Sequence, residues 1–71
     1  MTTTDILVRG MTCGHCVSAV TEELKTIDGV QDVQIDLREG GDSPVVITSA
    51  AELDPTAVAS AVDEAGYQIV G

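Results

Sequence analysis

Cys13 and Cys16, separated by Gly14 and His15, are the only thiols in the chain and carry its most specific chemistry. As thiolates they make a pair of soft donors, the ligand type that selects Cu(I) and other thiophilic ions. Cys16 falls where a helix is predicted to begin, and unpaired N–H groups with the positive end of the helix dipole favour thiolate there. A closed structural zinc site wants four donors in a tetrahedron. With two Cys and one His, this chain reaches four only by recruiting a carboxylate or a second molecule.

Two other uses of the motif stand beside metal binding. One is a pair of thiols that merely packs, although a glycine-flanked loop is exposed and exposed free thiols are a liability. The other is a thioredoxin-like redox pair, the usual reading beside a βαβ pattern in a cytosolic protein; the chain is short for that fold, and no Trp adjoins the cysteines. His15 is either an exposed loop residue or an accessory nitrogen donor, joining Cu(I) in a bridged dimer or zinc as a third ligand. No Ser-His-Asp array or phosphate loop is present, and Glu22-Glu23 and Asp63-Glu64 read as solvated helix surface. The chemistry points to a carrier rather than an enzyme.

The elements that must position this pair follow from periodicity. Ile6 and Val8 alternate with Leu7 and Arg9, a short strand, and Gly10 to Gly14 make a loop. Val17, Val20, Leu24 and Ile27 form the apolar stripe of a helix beginning near Cys16 and stopped by Gly29. Val33, Ile35 and Leu37 alternate in a second strand, and the β-branched run Val45-Val46-Ile47-Thr48 makes a third. Asp54-Pro55 starts a second helix with Val58, Ala61, Val62 and Ala65 on one face, ended by Gly66. Tyr67, Ile69 and Val70 make a last strand. The order is βαββαβ, an α+β, ferredoxin-like arrangement: one four-stranded antiparallel sheet with both helices on one face.

Residues 1–71 are enough for one domain with a modest core. With Tyr67 its only aromatic residue, that core must be built from Val, Ile, Leu and Ala. Twelve acidic residues against three basic ones give a net charge of -9, which repels nucleic acid and anionic membrane surfaces. No apolar run approaches the roughly 20 residues that cross a bilayer, and Met1 to Asp5 lack a leader pattern. The expectation is a cytoplasmic protein with reduced thiols and no membrane insertion.

The segment Gly10-Met11-Thr12-Cys13-Gly14-His15-Cys16 resembles the heavy-metal-associated domain, whose signature is Gly-Met-x-Cys-x-x-Cys after a first strand. The resemblance extends through Gly29-Val30, the Val33 to Leu37 strand and Ala65-Gly66-Tyr67. It implies Cu(I) held by Cys13 and Cys16 and delivered by thiolate exchange to the metal-binding domain of a copper-transporting P-type ATPase. It also implies a monomeric apo form, with a copper-bridged dimer as a loaded alternative. Thr12 is similar to the copper-handling type, where zinc- and cadmium-handling relatives often carry an acidic residue. Tyr67 sits where bacterial copper chaperones have a Tyr beside the metal loop, a role compatible with capping the core. Met11 is expected to pack beneath the loop rather than bind metal. Two alternatives remain: an excised N-terminal domain of a copper ATPase, against which Met1 and the short termini argue, and a small thiol oxidoreductase.

Overall fold

The computed structural model covers residues 1–71 and has six elements. Strand β1 spans Thr2–Arg9, helix α1 Gly14–Lys25, β2 Val30–Ile35, β3 Asp42–Ser49, α2 Pro55–Glu64 and β4 Gln68–Ile69. All strand pairs are antiparallel, in the order β2-β3-β1-β4. The central pair is the longest: β1 and β3 run in register from Thr2 opposite Ser49 to Arg9 opposite Asp42. β2 carries a bulge between Val30 and Asp32. The βαββαβ order and the four-stranded sheet are those expected from the sequence.

Alternation decides which side of each strand is buried. Val8, Val33, Val45 and Ile47 meet Val20 and Leu24 of α1 and Val58, Ala61 and Val62 of α2 in one apolar core. Met11, just beyond β1, is also in it and fully buried. Leu7, on the opposite face of β1, is exposed. The two buried polar side chains are satisfied within the chain: Ser43 Oγ accepts from Arg38 N–H at 2.9 Å, and Ser49 Oγ donates to the Ala51 carbonyl at 2.6 Å.

Several element ends differ from the sequence expectation. α1 starts at Gly14, before Cys16, with Cys13 as its extended N-cap residue. It ends at Lys25 with Thr26 as C-cap, so Ile27 and Gly29 lie beyond it. Gly29 instead closes the turn into β2, and its carbonyl accepts from Ala50 N–H at 2.8 Å. Leu37 falls outside β2, and Tyr67 and Val70 flank β4 without joining it. A side-chain pattern marks which face is apolar; cross-strand bonds and local turns decide where an element stops.

Asp54 caps α2 as expected, accepting from Thr56 N–H at 2.9 Å, with Pro55 in the first turn. Asp54→Ala should therefore cost about 1 kcal/mol of stability. Chemical denaturation measures this, and an unchanged midpoint would mean that water replaces the cap without loss.

Candidate metal site

Three loops meet at one end of the sheet. β1 ends there at Arg9, the β2–β3 hairpin turns there, and Tyr67 enters β4 there. Gly10 lets the chain leave β1: its φ of 102° is left-handed, and a Cβ on it would lie 3.5 Å from the Tyr67 ring. The hairpin is tied to the same loop, since Gly40 N–H donates to the Met11 carbonyl at 3.2 Å. Arg9 also pairs with Asp42 at 3.0 Å across β1 and β3.

Cys13 and Cys16 are both reduced, with their sulfurs 3.7 Å apart. The Cys13 carbonyl accepts the first helical bonds, from Cys16 N–H at 3.1 Å and Val17 N–H at 3.2 Å. That arrangement holds Cys13 in the loop and Cys16 in the first turn of α1, so the spacing of three turns both sulfurs to one side. Cys13 is exposed and Cys16 half-buried. Each sulfur is therefore open to an incoming group.

Cys16 is held as thiolate at neutral pH, its pKa lowered to about 6. The Thr12 backbone N–H is the largest cause, followed by the Tyr67 hydroxyl, the Thr12 hydroxyl and the Cys13 backbone, against a smaller opposing effect of burial. The Thr12 hydroxyl lies 3.7 Å from the sulfur. Tyr67 acts through a looser polar contact, outside hydrogen-bond geometry. Its own pKa is raised, first by that contact with Cys16, then by burial and by the negative charge of the two sulfurs.

Several named donors thus sit in the loop, where the sequence points to the helix end. Thr12 is the functional residue that the spacing does not mark. A hydroxyl within reach of Cys16 is visible only once the loop has folded back over the first turn. The tie from Gly40 to Met11 carries no sequence signal either.

The lowered pKa has a sign that can be checked. A thiol depressed in the folded state adds stability above its unfolded value, near 8.5, and loses it as pH falls through about 6. The folded apo protein should thus gain stability between those limits relative to a Cys16→Ser variant. Alkylation of Cys16 should follow an ionisation near 6, and Tyr67→Phe should move it upward. A midpoint near the ordinary thiol value in the parent would contradict the assignment.

The other expected site residues are placed as follows. His15 is exposed on the first turn of α1. No group of three or more His, Cys, Asp or Glu side chains gathers anywhere in the chain, so a four-donor cage does not form within it. Met11 points into the core, and Tyr67 stands beside Gly10 and Cys16. No helix is long and apolar enough to cross a membrane.

The βαββαβ sandwich thus carries an open pair of reduced thiols at its first loop. The chain belongs to the heavy-metal-associated domain family, whose model matches residues 5–68. It is 36% identical over 61 residues to the copper chaperone CopZ of Enterococcus hirae, covering 86% of each chain. It is also 36% identical over 67 residues to copper-transporting ATPase 2 of Rhizobium meliloti, covering 94% of this chain and 8% of the ATPase. Among solved structures, a CopZ metallochaperone superposes with a TM-score of 0.83 at 31% identity, covering 97% of this chain and all of that one.

Proposed function

We propose that the 71 residues act as one heavy-metal-associated domain, a cytoplasmic copper chaperone. In this reading Cys13 and Cys16 carry Cu(I) as cargo and pass it to the metal-binding domain of a copper-transporting P-type ATPase. The observation that carries the proposal is the open sulfur pair at 3.7 Å, one member of which is already thiolate at neutral pH. Two thiolates suit a soft monovalent ion that accepts few ligands. The names of the relatives, copper chaperones and copper ATPases, support copper as the cargo.

Transfer follows from access. A partner thiolate attacks the metal held by this chain, giving an intermediate shared between the two proteins. The bond to exposed Cys13 breaks first, and half-buried Cys16 releases last. The ion changes ligands without entering solution, so speed comes from openness and retention from the second sulfur. Two of the three basic side chains near or beyond the loop are already matched, Arg9 with Asp42 and Arg38 with Asp36. A partner must therefore bring its own basic or apolar docking surface.

Titration of the reduced protein with Cu(I) against a chromophoric competitor, with Zn(II) in parallel and the product mass recorded, tests the proposal. The expected result is about one copper per chain with weak zinc retention, since two soft donors satisfy Cu(I) but leave zinc half-coordinated. A dimer mass would bring His15 and a bridged form into the mechanism. Tight zinc binding, or no retained copper, would sink the proposal. A second reading, a domain of a copper ATPase, is favoured by the match to 8% of such a protein; the genomic reading frame separates the two.

A further inference from the structure

The Met11–Thr12 peptide is held at both of its polar ends by parts of the chain that lie far apart in sequence. Its carbonyl accepts from Gly40 N–H at 3.2 Å, the backbone bond that joins the β2–β3 turn to the metal loop. No peptide bond is cis, and in a trans peptide the C=O and N–H groups point in opposite directions. With the carbonyl turned to the hairpin, the Thr12 N–H is turned away from it, toward the first turn of α1. It finds no backbone acceptor there. Its partner is the Cys16 sulfur, on which it is the strongest of the neighbouring donors. The Thr12 hydroxyl lies 3.7 Å from the same sulfur.

The turn does not need the Met11 bond for its own closure. It is closed by Gly41 N–H to the Arg38 carbonyl, Arg38 N–H to Ser43 Oγ and Asp36 N–H to the Pro44 carbonyl, each at 2.9 Å. Gly40 has a left-handed φ of 70°, and a Cβ there would meet nothing within 4 Å. The glycine therefore supplies a backbone conformation rather than space. That conformation accompanies an N–H directed out of the turn and across to Met11.

We infer that Gly40 is a positioning residue for the metal site: through the Met11–Thr12 peptide it keeps the Thr12 N–H aimed at Cys16 and so orients that sulfur before a metal arrives. A bond accepted at the carbonyl polarises the peptide and strengthens donation from its N–H, so one contact acts on the next through a single rigid unit. Groups that orient a metal ligand without touching the metal contribute roughly 10–100-fold to affinity. The inference rests on the proposed copper role of Cys13 and Cys16 and adds to it a residue outside their motif.

The test replaces the Gly40 amide by an ester, with glycolic acid at position 40 of a chemically synthesised full-length chain. This removes the N–H and keeps every side chain; the Glu39 carbonyl, which the ester also alters, accepts no backbone bond. Cu(I) retention against a chromophoric competitor is expected to fall roughly tenfold, the lower end of that range. In the metal-free chain the Thr12 amide should exchange with solvent several-fold faster, while the core amides of Val20, Leu24 and Ile47 stay protected. Gly40→Asn keeps the N–H and tolerates a left-handed backbone, so it should behave as the parent. Gly40→Pro lacks both the N–H and the positive φ and should be impaired at least as much as the ester. Unchanged copper retention or an unmoved Thr12 amide in the ester, protection lost equally across the core, or an asparagine variant as impaired as the ester would each overturn the inference. If the parent itself retains no copper, the proposed function fails, and the Thr12 amide still decides whether Gly40 holds this peptide.

Discussion

A Cys13→Ser, Cys16→Ser variant is expected to lose Cu(I) to a competing chelator under conditions where the parent retains it. Oxygen donors are hard and poorly matched to Cu(I), so each replacement removes a ligand outright. Changing groups that only orient ligands costs roughly 10–100-fold in metal affinity, and losing the ligands themselves must exceed that. The single variants should differ. Cys16→Ser removes the sulfur that Thr12 and Tyr67 hold as thiolate, whereas Cys13→Ser leaves that sulfur in place. Competition titrations read the affinities. Thermal unfolding gives a second measure, because a ligand that binds only the folded state raises the midpoint. Cu(I) should raise it in the parent and leave the double variant unmoved. Retention of copper by the double variant would show that the ion sits elsewhere.

Met11 should give the largest effect on stability, and it separates packing from ligation. Its side chain is fully buried in the core although the residue belongs to the metal loop. Met11→Ala should cost roughly 2–5 kcal/mol, the lost transfer energy plus the cavity left behind. A chain of this length has a total stability of roughly 4–11 kcal/mol, so the variant should be partly unfolded on mild heating. Its carbonyl is the acceptor for Gly40 N–H, so the loosened loop should also bind copper less well. Met11→Leu keeps the volume and removes the sulfur. It should cost less than about 1.5 kcal/mol and leave Cu(I) affinity unchanged. A large loss of affinity in the leucine variant, with stability intact, would make the thioether a ligand.

The parts of this protein with a short-range cause were legible in the chain. The Asp54-Pro55 helix start works through one side chain and one neighbouring N–H. The stripe through Val20 and Leu24 and the alternation through Val45 and Ile47 mark inward faces because helix and strand periods are fixed by backbone geometry. The proximity of two sulfurs in Cys-x-x-Cys needs only one helical turn. The burial of Met11 has no such local cause: it was expected from the resemblance to the heavy-metal-associated domain and from the readiness of Met to fill gaps in a core.

Tertiary structure decided what depends on residues far apart in the chain. The seam of β4 with β1 joins Ile69 to Val8 and Gln68 to Arg9, positions at opposite ends of the chain. The clasp from Gly40 to Met11 joins positions far apart in sequence. The contact of Tyr67 with Cys16 needs the second helix to return the chain to the first loop. By itself, then, the sequence determined the identity of the soft donors, their spacing and the apolar faces that must meet. Only the folded chain decided how acidic Cys16 is, because that depends on donors from Thr12 and Tyr67 brought to one sulfur.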